Sequence, residues 1–167
     1  TGDHMGMLAT VMNALAMREA LAARGLKASV LSGLPIPTVC DTFTQRGGLE
    51  HLASDRVVLF AGGTGSPFFT TDTTAALRAA EMRCDAILKA TKVDGIYTAD
   101  PKKDPNAERY DRLTFEEAIS RDLKVLDTSA FALARDNAIP IIVFSLQEAG
   151  ALIEVLAGRG RATVVAG

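Results

Sequence analysis

Residues 57–82 constrain the fold of this chain more tightly than any other stretch. A compact apolar run, Val57-Val58-Leu59-Phe60-Ala61, leads into Gly62-Gly63-Thr64-Gly65-Ser66-Pro67-Phe68-Phe69-Thr70-Thr71-Asp72. A helical pattern follows, Thr73-Thr74-Ala75-Ala76-Leu77-Arg78-Ala79-Ala80-Glu81-Met82. The order is strand, glycine-rich loop, helix start. Glycine-rich loops expose backbone N–H groups, and a helix N-terminus adds unpaired ones at the positive end of its dipole. Together they suit a phosphate or another anion, and the hydroxyls of Thr64, Thr70 and Thr71 can add donors. The same residues also serve an ordinary strand-to-helix turn, with Gly supplying positive φ and Thr or Asp capping the helix. No Lys stands at the helix start, which excludes the G-x-x-x-x-G-K-[ST] loop. Gly63-x-Gly65 lacks the third glycine of a dinucleotide fingerprint, because Phe68 occupies that place.

The rest of the chain repeats the alternation. Residues 5–24 read as a helix of good formers, with Asp3 able to cap it and Gly25 ending it. Its apolar residues cover most of the circumference (Met5, Met7, Leu8, Val11, Met12, Leu15, Met17 and Leu21 among them), so one sheet face does not account for all of them. The other face is expected to meet another subunit. Strands are expected over Lys27–Ser32, Arg56–Ala61, Asp85–Ala90, Pro140–Ser145 and Arg161–Val165. Helices are expected over Thr71–Arg83, from Thr114 (a capping box with Glu117), over Ala130–Asn137 after Asp127, and over Gln147–Ala157. Asp41–Ser54 reads as a helix broken near Gly47-Gly48. Alternating strands and helices imply an α/β fold with a parallel sheet. Asp94-Gly95 signals a hairpin turn. The polar tract after it reads either as a surface loop or as a lid beyond a strand's carboxyl end, where α/β ligands sit.

Composition narrows the function. The 167 residues, 48% hydrophobic and 23% charged, fit one domain, 1–167, with no repeat or linker. A net charge of −2 without basic runs, and the absence of Trp, argue against a nucleic-acid surface. No membrane span and no signal peptide are legible. Cys40 and Cys84, with two histidines, have no ligand-like spacing. They read as buried free thiols of a reducing compartment, so a cytoplasmic location is expected.

Three long motifs then carry a resemblance. Gly2-Asp3-His4-Met5-Gly6-Met7-Leu8-Ala9-Thr10, Gly63 to Asp72, and Lys89-Ala90-Thr91-Lys92-Val93-Asp94-Gly95-Ile96-Tyr97-Thr98-Ala99-Asp100-Pro101 closely resemble the bacterial UMP kinases of the amino-acid kinase superfamily. The resemblance implies a three-layer αβα sandwich with a mostly parallel sheet. It implies phosphoryl transfer from ATP to UMP with Mg²⁺, in pyrimidine nucleotide synthesis. It also implies a homohexamer, allosterically activated by GTP and inhibited by UTP.

Carried over by matched motif, Asp3 hydrogen-bonds the UMP ribose. Thr64, Gly65, Ser66, Pro67, Phe68, Phe69, Thr70 and Thr71 line the UMP site, and Asp72 is the catalytic aspartate that orients lysines. Thr91, Tyr97 and Asp100 contact ATP, with Lys89 and Lys92 in support. Arg18 and Arg56 are assigned either to an effector surface or to ordinary surface ion pairs. No residue is expected to ligate a metal directly. The family's Lys-x-Ser-Gly motif and its Gly-Gly-Gly-Asn loop occur nowhere in these residues. The chain is therefore expected to correspond to the C-terminal two-thirds of an amino-acid kinase domain, N-terminally truncated and inactive in isolation. The competing reading is a non-catalytic oligomeric nucleotide- or oxyanion-binding module on the same fold. Thr70-Thr71-Asp72 and Asp100 speak against it. Asp3-His4-Met5-Gly6 and Pro67-Phe68-Phe69 disfavour a relative acting on carboxylates or carbamate.

Overall fold

A computed structural model describes residues 1–121, 123 and 125–167 of the chain. They form two compact units, Thr1–Thr74 and Ala75–Gly167, each described by itself.

The first unit opens with helix α1, Gly2–Ala22, then β1, Ala28–Ser32, β2, Asp41–Thr42, α2, Gln45–Ala53, and β3, Val57–Ala61. The three strands form a parallel sheet in the order β2-β1-β3. One stripe of α1, Met7, Val11 and Ala14, is buried. Its spacing of four and three residues places these side chains on one face. Val11 and Ala14 join Val30 of β1 and Ala61 of β3 in one apolar cluster. Among the described residues the opposite face stays open, with Met12 71% exposed and Met5 and Met17 also exposed. Asp3 lies in the first turn of α1 and Thr1 holds the N-cap place, so Asp3 is not the cap the sequence indicates. Gly47-Gly48 does not break α2. Thr44 accepts the Gly47 N–H with its hydroxyl and the Gly48 N–H with its carbonyl, so both glycines belong to the capped first turn. A Cβ on Gly47 would lie 2.9 Å from the Thr44 hydroxyl oxygen, which accounts for glycine there.

The second unit takes up most of α3, Thr71–Glu81, which starts in the first. It continues with β4, Ile87–Thr91, β5, Ile96–Tyr97, β6, Arg109–Tyr110, β7, Arg112–Thr114, α4, Phe115–Ser120, α5, Thr128–Asp136, β8, Ile141–Ser145, α6, Ala151–Leu156, and β9, Ala162–Ala166. Four strands form a mixed sheet in the order β4-β8-β9-β7. β4 runs parallel to β8 and β7 parallel to β9, while β8 and β9 are antiparallel. Phe115, Phe131, Ile141, Val143 and Val165 lie at the centre of its core.

The Thr114–Glu117 capping box is present, with each residue bonding the other's backbone N–H. Thr114→Ala is expected to cost about 1 kcal/mol of stability, the usual worth of a Ser or Thr N-cap, read as a lower denaturant midpoint. α6 is shorter than the pattern from Gln147 indicates. The Ser145 hydroxyl accepts the Gln147 N–H, and Gly150 at φ 83° forms the N-cap, so local turns hold 146–150 out of the helix. Asp94-Gly95 precedes β5 and is not a hairpin turn. The antiparallel pair β5-β6 is instead closed by residues 98–108. The thiols also depart from expectation, since Cys84 is exposed and Cys40 half-buried. Arg83, at φ 55° after α3, carries Cys84 into a turn at the surface. Partial burial still pushes both thiols above the ordinary range, with Asp41 and Asp85 adding to it.

Candidate active site

The loop after β3 is built on left-handed backbone. Gly62, Gly63 and Gly65 have φ of 70°, 59° and 84°, a region only glycine enters without strain. Gly62 donates its N–H to the Thr10 hydroxyl at 2.8 Å, and that hydroxyl donates to the Met7 carbonyl. Helix α1 is thereby tied to the loop at its first residue. The tie repeats further along, where the Phe68 N–H donates to Asp3 Oδ2 at 2.8 Å. Phe68 itself has φ 71° and is 93% exposed. A bulky residue in that region is strained, and strain held at a loop tip marks functional sites. The Asp3 carboxylate is what fastens it. Phe69 is exposed beside it.

The threonines divide their work. Thr64 Oγ1 and the Ser66 backbone bond each other locally. The Thr70 hydroxyl accepts the Thr73 N–H at 3.1 Å, and its carbonyl receives the Thr74 N–H and hydroxyl. Thr70 thus does the capping for α3. Thr71 and Asp72 open the first turn, where a carboxylate is favoured by the helix dipole. Asp3 is accordingly joined to Phe68, on the loop that carries Thr64 to Asp72 from β3 into α3. Pro67 sits between the Thr64-Ser66 turn and Phe68.

The remaining candidates stand in the second unit. Thr91 ends β4 and Tyr97 ends β5. Asp100 follows in the loop, where its Oδ1 accepts the Lys102 N–H at 3.0 Å and its Oδ2 lies 3.8 Å from Lys103 Nζ. Lys89 is half-buried in β4 and Lys92 exposed beyond it. The Tyr97 hydroxyl donates to Asp94 Oδ1 at 2.6 Å, and Arg161 Nε lies 3.1 Å from Asp94 Oδ2. The Tyr97 bond first, then Arg161 and Arg109, hold the Asp94 carboxyl below its usual range. The same bond holds the Tyr97 phenol above its own. Asp94 lies within a matched motif but carries no assigned role, because Asp94-Gly95 reads as a turn, and Arg161 reads only as the start of a strand. Arg18 pairs with Glu19 at 3.0 Å and lines a cleft of about 300 Å³ with Ser29, Thr38, Cys40 and Asp41. Arg56 donates to the Ser29 hydroxyl at 3.4 Å.

The sequence model of the amino acid kinase family matches residues 1–145. The chain belongs to the amino acid kinase family. Among amino acid kinases it is 60% identical to the uridylate kinase of Rhizobium meliloti and 58% identical to that of Azorhizobium caulinodans, in each case over 99% of this chain and 69% of the relative. Its fold superposes on the crystal structure of UMP kinase from Ureaplasma parvum with a TM-score of 0.96 at 37% identity, covering 99% of this chain and 71% of that one. UMP kinase from Bacillus anthracis gives 0.94 at 34% identity, with 98% and 68% covered. The expected amino-acid kinase fold, mostly parallel strands layered with helices, therefore stands.

Proposed function

We propose that this amino acid kinase transfers the γ-phosphoryl group of ATP to UMP, giving ADP and UDP. The observation that carries the reading is identity near 60% to uridylate kinases along essentially the whole of this chain. The loop geometry agrees with it. Phosphoryl transfer depends on in-line positioning and charge neutralisation more than on covalent catalysis. A strained loop of left-handed glycines, ended by the N-terminus of α3, offers a phosphate oriented backbone dipoles in a fixed frame.

In this proposal Asp3 orients the UMP ribose while holding Phe68. Thr64, Gly65, Ser66, Pro67, Phe68, Phe69, Thr70 and Thr71 surround the nucleotide, with the threonine hydroxyls toward its phosphate. Asp72 acts catalytically by orienting cationic groups, since a carboxylate beside a phosphate repels it unless a cation pairs with it. Thr91, Tyr97 and Asp100 receive ATP. Among the described residues no three His, Cys, Asp or Glu side chains are grouped as a metal cage requires. Mg²⁺ enters bound to the ATP phosphates, as part of the substrate.

The finer parts of the proposal follow from the same reading. Residues 1–167 act as one domain, the C-terminal two-thirds of a kinase domain. The open methionine face of α1 packs against a second copy within a homohexamer. GTP and UTP act at the surface that holds Arg18 and Arg56. The enzyme works in the cytoplasm, in pyrimidine nucleotide synthesis. Among the described residues no helix is long and apolar enough to cross a membrane.

The test is a coupled ADP-release assay on the chain as its gene encodes it, with UMP, CMP and AMP as acceptors. Release that depends on UMP and is much weaker with the others is expected. ADP release indifferent to UMP would sink the proposal. Asp3→Asn, which keeps the shape and removes the charge, is expected to raise KM for UMP on the order of tenfold, with KM for ATP within twofold. The oxyanion-binding alternative predicts instead no turnover and tight binding of molybdate.

A further inference from the structure

The start of β9 fastens the segment that carries Tyr97 at every level. The Thr163 hydroxyl is fully buried, accepts the Ile96 N–H at 2.8 Å and donates to the Tyr110 carbonyl, so it clamps β5 and β6 at once. Arg109 on β6 donates to the Ala162 carbonyl. Gly95 lies so close to these groups that a Cβ there would stand 2.5 Å from Thr163 Oγ1 and 2.8 Å from Arg109 Cδ. The backbone of residues 95–96 is therefore fixed. The Tyr97 side chain itself is half-exposed, on a strand of two residues. Its hydroxyl meets Asp94 Oδ1 at 2.6 Å, and Arg161, the residue before β9, meets the other oxygen of Asp94 at 3.1 Å.

We propose that Asp94 and Arg161 are positioning residues of the ATP side of the site, setting the Tyr97 ring in place before the nucleotide arrives. The inference rests on the reading of Tyr97 as an ATP contact. A half-exposed tyrosine without a partner samples several rotamers, and ordering it on binding weakens affinity. A charge-assisted O–H···O⁻ bond removes that cost beforehand. Arg161 in turn occupies the second carboxylate oxygen and offsets its negative charge. The side chain of Arg161 is 72% exposed, so its contribution is expected to be the smaller of the two.

The experiment uses the gene-encoded chain and the variants Tyr97→Phe, Asp94→Asn, their combination, Arg161→Gln and Tyr97→Ala. Tyr97→Phe and Asp94→Asn are each expected to raise KM for ATP about three- to tenfold, leaving KM for UMP within twofold. The double variant is expected to be no worse than either single one, because both remove the same bond. Arg161→Gln is expected to raise KM for ATP about twofold. Asp94→Asn is also expected to bring the Tyr97 phenol titration, followed by NMR of the ring carbon bearing the hydroxyl, down toward its ordinary value. A role in packing alone moves neither that titration nor the ratio of the two KM values. Should Asp94→Asn fail to fold, Tyr97→Phe and Arg161→Gln carry the comparison. If Tyr97→Ala raises KM for ATP while Tyr97→Phe, Asp94→Asn and Arg161→Gln leave it unchanged, or if the single effects add, the positioning role is overturned and the nucleotide contact survives. If Tyr97→Ala also leaves KM for ATP unchanged, both readings fall.

Discussion

Gly65→Ala is expected to lower stability by about 2–4 kcal/mol, from left-handed strain and a backbone clash together. At φ 84° any Cβ is disfavoured, and here it would also stand 2.5 Å from the Gly33 carbonyl oxygen and 3.2 Å from the carbonyl carbon. Backbone atoms cannot rotate away as a side chain would. The approach is mutual, since a Cβ on Gly33 would lie 2.7 Å from the Gly63 carbonyl oxygen and 2.8 Å from the Gly65 nitrogen. Gly33→Ala should therefore behave alike. Gly25 supplies the contrast. It has φ 77° but nothing within 4 Å of a Cβ, so Gly25→Ala should cost only the conformational part, about 1 kcal/mol. Urea denaturation of the three variants checks the ordering. Equal losses for Gly25→Ala and Gly65→Ala would mean that the Gly33–Gly65 contact relaxes freely. Because the same backbone carries Thr64 to Phe69, Gly65→Ala should also raise KM for UMP more than KM for ATP.

Phe131→Ala should cost about 3–5 kcal/mol, the range for emptying a buried phenylalanine site. Phe131 is 2% exposed and sits on α5 in the cluster with Phe115, Ile141, Val143 and Val165. It is flanked along α5 by Ala130 and Ala134, both 0% exposed. Alanines pressed against their neighbours leave little to collapse into the cavity, which favours the upper half of the range. Phe131→Leu fills most of the space and should cost less than about 1.5 kcal/mol. Hydrogen exchange localises the effect, with protection falling across β8 and β9. A loss below 1 kcal/mol for Phe131→Ala would show that this cluster does not hold the second unit together.

Local chemistry was the part most legible from the sequence. Thr114 with Glu117, Asp127 ahead of α5, and the apolar run of β8 each declare themselves within a few residues, and each formed as expected. Elements held by distant partners were not legible. β2 is two exposed residues paired, among the described residues, with β1 alone, and neither propensity nor periodicity marks so short a strand. β5 and β6 pair across a long loop, which made Asp94-Gly95 look like the turn. In the site, the glycines and threonines of residues 62–71 were readable as a candidate anion loop. The contact of Asp3 with Phe68, 65 positions apart, was not derivable from spacing, and Asp3 entered only through the resemblance. Asp94 stood inside a matched motif without a role and Arg161 outside all of them, because what they do depends on where β9 runs.

That strand has one more consequence. β9 lies between β8 and β7, yet it stands latest of the strands in the sequence. As the chain leaves the ribosome from its N-terminus, β7 and β8 emerge first with no ladder between them, and apolar β8 waits with an unpaired edge. The second unit can close only when residues 162–166 arrive, so its assembly waits on β9. A released chain cut before Ala162 should therefore display an edge that chaperones bind, whereas one that includes Ala166 should not.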